Sequence, residues 1–294
     1  MSKTTLALFF LPLLIACKSG TLTSDKLVVS VTILPQKYFI ERIAGDLVEV
    51  NVLIPPGANP ATYEPSISQL SYLGQSPLYM RIGYVGFELS WMKKISAANP
   101  QMKIVDLSTG IEPINEEAQN KEEEPGQLPG HFPGGIDPHI WMSARNSKII
   151  AENIYKELRD LMPEEDESLN ARFNKLQIDL DSMHDSISVL LSGKKDRSFM
   201  IYHPALSYFA RDFHMEQYPL ELGGKEPSPA HMKWMIDLGI QKKIHTIFLQ
   251  KQFDQKNAEI LAREINAEIV FFNPLDSDWA GQMFHIANQL SSSL

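Results

Sequence analysis

Thiols are almost missing from this chain of 294 residues: Cys17 is its only cysteine, so it can form no internal disulfide. Beyond position 17 no thiolate is on offer to a metal, and any ion has to be held by nitrogen and oxygen. Positive charge is scarce as well. Against 36 Asp and Glu stand 27 Lys and Arg, a formal charge of −9, and no basic stripe tracks along the sequence as a nucleic-acid binder would need. The imbalance is local, because six Glu and one Lys fall between Glu112 and Glu124 and give that segment −5, leaving −4 for the rest. Long apolar runs are lacking too: Leu6 to Ile15 falls well short of the ~20 residues that cross a bilayer. The 12 methionines mostly occupy core stripes, which argues against a methionine-lined copper site.

What is present suffices for a substantial core. At 44% hydrophobic, the chain is expected to form one large or two medium domains, with two lobes the preferred arrangement. The amino-terminal end reads as a targeting segment: Lys3, the apolar run, then Leu14-Ile15-Ala16-Cys17. It resembles a bacterial lipoprotein signal, residues 1–17, and that resemblance implies that Cys17 carries a lipid after cleavage. Residues 18–26 would then be a tether. An ordinary cleaved signal with an incidental cysteine is the plainer alternative.

From Leu27 the pattern alternates between β-branched or apolar runs and helical stripes. Strands are expected near 27–33, 48–54, 78–82, 103–107, 199–202, 246–249 and 268–272, with helices between them. That alternation predicts an α/β protein with mostly parallel sheets covered on both faces, and ligands in such sheets sit beyond the carboxyl ends of the strands. Residues 112–135 interrupt the pattern with Glu, Pro, Gly, Gln and Asn, and read as a mobile acidic loop that contains His131. The cleanest stripe is Leu169, Phe173, Leu176, Leu180, Met183, Ile187 and Leu190, spaced alternately four and three. It predicts a rod of nearly 40 Å, within 164–193, that connects an amino-terminal lobe (27–163) to a carboxyl-terminal lobe (194–294).

Two histidines stand at turns. His139 lies in Gly134-Gly135-Ile136-Asp137-Pro138-His139-Ile140-Trp141-Met142, between a proline turn and a tryptophan, and His203 leaves the end of a strand ahead of Pro204. Read from position alone, they are one imidazole from each lobe and a plausible start of a divalent-metal site. At least one or two more donors are needed. The other histidines (His184, His214, His231, His245, His285) fall within helical or loop patterns and read as structural or surface groups.

The order of short islands in the chain resembles the zinc and manganese solute-binding receptors of ATP-binding-cassette importers. The islands are Pro55-Pro56-Gly57-Ala58-Asn59-Pro60-Ala61-Thr62-Tyr63-Glu64-Pro65, Asp137-Pro138-His139-Ile140-Trp141, and Tyr202-His203-Pro204-Ala205-Leu206-Ser207-Tyr208-Phe209. Glu226-Pro227-Ser228-Pro229, Ile247 to Phe253 and Asn273-Pro274-Leu275 follow. The resemblance, from about Leu27 to Leu294, implies two Rossmann-like lobes joined by one long helix and metal held by residues matching His139 and His203. Three positions depart from it: Ala61 where a His is usual, Asn273 where an Asp is usual, and Gln250 where a Glu is common. Glu64, Asn59, Asn273 and His131 are the candidate replacements, with Glu64 and Asn273 expected to complete the set. A helix-start carboxylate is the plainer role for Glu64, and a turn cap for Asn273.

On that resemblance the chain is not an enzyme. It is expected to be a monomeric, membrane-anchored receptor at the periplasm or cell surface that takes Zn2+, or alternatively Mn2+, and delivers it to an ABC permease. It would meet the membrane only through its lipid and would bind no nucleic acid. An adhesion or interaction lipoprotein with a degenerate metal site is the alternative. A two-histidine hydrolase lacks an evident carboxylate base beside either ring.

Overall fold

A computed structural model describes residues 26–115, 135–194 and 196–293. The expectations for the leader, Cys17, His131 and most of the acidic segment fall outside those residues. Among the described residues no helix is long and apolar enough to cross a membrane.

The amino-terminal lobe runs β1 (Leu27–Val31), α1 (Leu34–Ala44), β2 (Val48–Val52), α2 (Ile67–Leu73), β3 (Leu78–Arg81), α3 (Gly86–Ala98) and β4 (Lys103–Asp106). All its strand pairs are parallel, in the order β2-β1-β3-β4. The start of α1 shows local chemistry setting an element. Pro35 occupies the first turn, and Gln36 Oε1 accepts the N–H of the N-cap Ile33 and that of Thr32 before it, both at 2.9 Å, fixing the entry of the chain into the helix.

Two helices then form the back of the molecule: α4 (Ala144–Leu161), capped by Ser143 Oγ accepting Asn146 N–H at 3.0 Å, and α5 (Asp166–Leu190). At 25 residues, α5 is about 37 Å long. Leu169, Leu176, Leu180, Met183 and Ile187 of the predicted stripe are buried, and the chain leaves through Gly193 at a φ of 74°. The helix packs on α4, on α1 of the first lobe and on the last helix of the second. It therefore serves both lobes.

The carboxyl-terminal lobe repeats the pattern: β5 (Ser198–Ile201), α6 (Ser207–Asp212), β6 (Glu216–Pro219), α7 (Pro229–Lys242), β7 (Thr246–Gln250), α8 (Gln255–Ile265), β8 (Glu268–Phe272) and α9 (Trp279–Ser293). Its sheet is parallel in the order β6-β5-β7-β8. Both predicted features of the fold class, two parallel α/β lobes and a long shared helix, are present. β6 is the one strand the sequence pattern did not yield. Its residues Glu-Gln-Tyr-Pro are polar and partly exposed, and it is an edge strand, where a Pro that cannot donate to a ladder is tolerated.

One apolar cluster spans both lobes, and a second, around Met200, Met235 and Leu249, lies within the carboxyl-terminal lobe. A cluster containing Val29, Phe39 and Phe87 continues through Trp141 to Phe209, Phe248 and Trp279. At the junction Phe39 and Trp279 meet edge to face with ring centres 4.9 Å apart, and Tyr38 packs on the same indole at 5.5 Å.

Candidate metal centre

Residues 137–143 form a strap bonded on both sides: Asp137 N–H donates to Ile114 O at 3.0 Å and Asn146 Nδ2 donates to Ile140 O at 3.2 Å within the first lobe, and further bonds come from the second. Tyr208 Oη donates to Asp137 O at 2.9 Å, Trp141 Nε1 donates to Pro274 O at 2.7 Å, and Ser143 Oγ bonds Asp212 Oδ2. Trp279 Nε1 donates back to Trp141 O at 2.8 Å. The strap that carries His139 is thus tied to the second lobe through its neighbours Asp137, Trp141 and Ser143, while the His139 backbone bonds within the strap.

Asp137 sets the orientation of His139. Its Oδ1 accepts the His139 backbone N–H at 2.8 Å and lies 2.9 Å from His139 Nδ1, while the whole carboxylate is buried. Ile140–Met142 then form a single 3-10 turn with all three side chains buried, so the ring is fixed between a carboxylate and Trp141, whose ring centre is 5.2 Å away. His139 itself is buried, and that burial holds its imidazolium below the usual range. The Asp137 carboxylate partly opposes the effect.

His203 stands where β5 ends beside β7, the point at which the strand order of the second sheet reverses. Gln250, at the end of β7, brackets its backbone: Oε1 accepts His203 N–H at 3.4 Å and Nε2 donates to His203 O at 3.0 Å. The ring stacks on Phe253 with centres 5.4 Å apart, and its Nδ1 lies 2.8 Å from Oε1 of the buried Glu221. The centres of the two imidazoles are 5.2 Å apart at an interplanar angle of 72°. They face one cleft of about 280 Å³, walled by Asn59 to Thr62 and Tyr84 to Gly86 on one side, by Glu221, Gln252 and Phe253 on the other, and floored by Pro138, His139 and Trp141. A larger groove of about 690 Å³ on the back, between α4 and α5, has no histidine in its lining.

The two histidines named from the sequence are thus adjacent, while the supporting candidates lie elsewhere. Glu64 is exposed and is not part of the cleft lining. Asn273 is exposed and spends its side chain on its own turn, Oδ1 accepting Leu275 N–H at 3.0 Å and Nδ2 reaching Asp276 Oδ2 at 3.4 Å. Only the next two residues, Pro274 and Leu275, reach the lining. Asn59 and Ala61 do line it, but Asn59 Oδ1 is engaged by the Ala61 N–H at 2.8 Å. Among the described residues no group of three or more His, Cys, Asp and Glu is gathered closely enough to hold an ion by itself.

Sequence reasoning missed Asp137 and Glu221. Asp137 left a signal, since an Asp two residues before a His can bond both its backbone and its ring. Glu221 left none, because 18 residues and a strand separate it from His203.

The geometry agrees with what comparison finds. The model of the ZnuA family, described as the periplasmic component A of the zinc-uptake complex, matches residues 29–292. The crystal structure of ZnuA superposes with a TM-score of 0.83 at 34% identity, over 92% of this chain and 99% of that one. Zinc-binding lipoprotein AdcA of Streptococcus pneumoniae is 26% identical over 90% of this chain and 53% of its own, so the present chain spans about half of AdcA. The laminin-binding protein Lmb of Streptococcus agalactiae, described as having adhesin and metal-transporting activity, shares the fold, with a TM-score of 0.78 at 18% identity over 91% of this chain and 99% of that one. That family is one of metal-binding import receptors rather than enzymes, and since its model matches nearly the whole described chain, the protein belongs to the ZnuA family of periplasmic zinc-uptake components.

Proposed function

We propose that this protein captures a divalent transition metal, zinc in preference to manganese, between His139 and His203 and passes it as cargo to an ABC permease. The observation that carries the reading is the spacing of the rings. With metal–nitrogen bonds of roughly 2.05 Å, about 1.15 Å from Nε2 to ring centre and a tetrahedral angle, two imidazoles sharing one ion have centres roughly 5.2 Å apart. The observed distance is 5.2 Å. Neutral imidazole suits zinc better than it suits manganese, which prefers oxygen donors. On this reading Cys17 carries the lipid that anchors a monomer outside the cytoplasmic membrane, and the membrane is met only through that lipid. Glu64 and Asn273, placed away from the cleft, are left out of the proposed donor set.

Calorimetric titration of residues 26–294 with zinc and with manganese tests the reading. Zinc binding that vanishes in a His139→Ala, His203→Ala double variant is the expected result, and binding that survives it would overturn the assignment. A second reading, an adhesion lipoprotein with a weakened metal site, is favoured by Ala61 and Asn273 standing at positions where the family commonly has donors. It predicts no zinc-dependent rise in thermal stability, whereas tight binding raises stability by RT ln(1 + [L]/Kd).

A further inference from the structure

The two imidazoles account for position but not for charge, since a divalent ion held by two neutral rings alone would sit in a buried cleft with its charge uncompensated. The compensating groups lie directly behind the rings. Asp137 is fully buried with Oδ1 at 2.9 Å from His139 Nδ1, and Glu221 is 4% exposed with Oε1 at 2.8 Å from His203 Nδ1. A carboxylate can only accept, so each contact requires the proton on Nδ1 and leaves the lone pair of the neutral ring on Nε2. Asp137 Oδ2 is buried and has no hydrogen-bond partner among the described residues, so that oxygen's charge is not offset by a donor among them. Backbone bonds also register both residues. Glu221 is already registered through its backbone N–H, which donates to Tyr202 O at 3.0 Å, and Asp137 through its own N–H, which donates to Ile114 O at 3.0 Å.

Resting on the assignment of His139 and His203 as donors, we propose that Asp137 and Glu221 are the positioning residues of the cleft. They hold both rings in the Nδ1–H form, aim Nε2 at the ion, and supply the two negative charges that match a divalent cation.

The test combines two readouts on the metal-free and zinc-titrated protein. Nitrogen-15 NMR of the histidine rings in alkaline solution is expected to show His139 and His203 protonated on Nδ1. In Glu221→Gln, whose amide can donate as well as accept, an Nε2–H population of His203 should appear while His139 is unchanged. Zinc affinity, measured by competition with a chromophoric chelator, should fall about 10- to 100-fold in Glu221→Gln and in Asp137→Asn, each of which keeps an acceptor oxygen and the side-chain shape. A wild-type protein protonated on Nε2 at both rings, or a Glu221→Gln variant that folds and binds zinc within twofold of wild type, would overturn the proposal. The double histidine variant separates the two levels. If wild type binds zinc and that variant does not, an unchanged Glu221→Gln affinity removes only the positioning role. If wild type binds no zinc, the donor assignment and this proposal fall together.

Discussion

Glu88 offers a test of the structure that involves no metal. Its carboxylate is completely buried beneath the β3–α3 turn, where Oε1 accepts Ile82 N–H at 2.7 Å and Thr32 Oγ1, and Oε2 accepts Gly83 N–H at 2.8 Å. Burial pushes its pKa up from the ordinary 4.5 to about 7, overcoming those donors and the attraction of Arg81, while Tyr79 is the other titratable group that faces it. The sign follows from proton affinity. Because the folded state binds the proton more tightly than the unfolded chain, this group's contribution to stability is complete below about pH 4.5 and is lost as the pH rises through about 7. At about 1.4 kcal/mol for each tenfold difference in proton affinity, the gap corresponds to about 3 kcal/mol. Glu88→Gln cannot titrate, and its amide must turn one N–H against a backbone donor, so it should be less stable than wild type by about 1 to 3 kcal/mol near pH 5. The informative quantity is the difference between the two proteins in urea unfolding at a series of pH values. Wild-type stability minus that of the variant should fall by about 3 kcal/mol between pH 4.5 and pH 7.5, reaching zero or changing sign, and then stay level. A difference independent of pH, or one that grows with pH, would show that the donors outweigh burial and that the reasoning is wrong.

Three further outcomes follow from particular contacts. Ala61→His places an imidazole in the wall opposite His139 and His203 and should raise zinc affinity at least tenfold by calorimetry, since a third nitrogen approaches the coordination zinc prefers. Trp279→Ala removes an indole that is 1% exposed, packs on Tyr38 and Phe39 and holds the strap through Trp141 O, and should lower unfolding stability by about 3 to 5 kcal/mol. Leu180→Ala in the middle of α5 should cost about 2 to 5 kcal/mol in the same assay, whereas the exposed Ile178→Ala should change stability by less than about 0.5 kcal/mol.

The fold was legible because its signals are local and repeated. Strands such as β5 and β7 are buried along their whole length and read as continuous apolar runs, and the α5 stripe keeps its spacing for six intervals. β6 was not legible, because an edge strand of four partly exposed residues needs no apolar signature. At the site, His139 and His203 could be found because prolines and strand ends announce turns. Glu221 could not, because what brings it to His203 is the pairing of β6 with β5, a long-range event no window of sequence records. Glu64 and Asn273 were named from inside the islands, Asn273 at the place of a usual Asp; Glu64 is exposed outside the cleft lining and Asn273 caps its own turn through Leu275 N–H. The strap that carries His139 follows the first lobe in chain order, and Tyr208, Pro274 and Asp212 of the second lobe bond its neighbours Asp137, Trp141 and Ser143.

That last point bears on how the cleft divides its labour. Both sheets reverse strand order at their centre, β1 beside β3 in the first lobe and β5 beside β7 in the second, and both reversals are natural places for a ligand. The second lobe uses its reversal for His203. In the first the same position is sealed: Gln36 Nε2 donates to Met80 O at 2.7 Å, Thr32 Oγ1 meets Tyr79 Oη at 2.6 Å, and Glu88 ties off the turn after β3. What the first lobe presents to the cleft is therefore a wall, Asn59 to Thr62, held to the β3–α3 turn by Phe87 N–H donating to Pro60 O at 2.9 Å. The strap carrying His139 bonds to both lobes, and its ring centre lies 5.2 Å from that of His203. Ala61 belongs to that wall, whereas the contacts that orient the rings come from Asp137 and Glu221, so an alanine at 61 leaves those contacts in place.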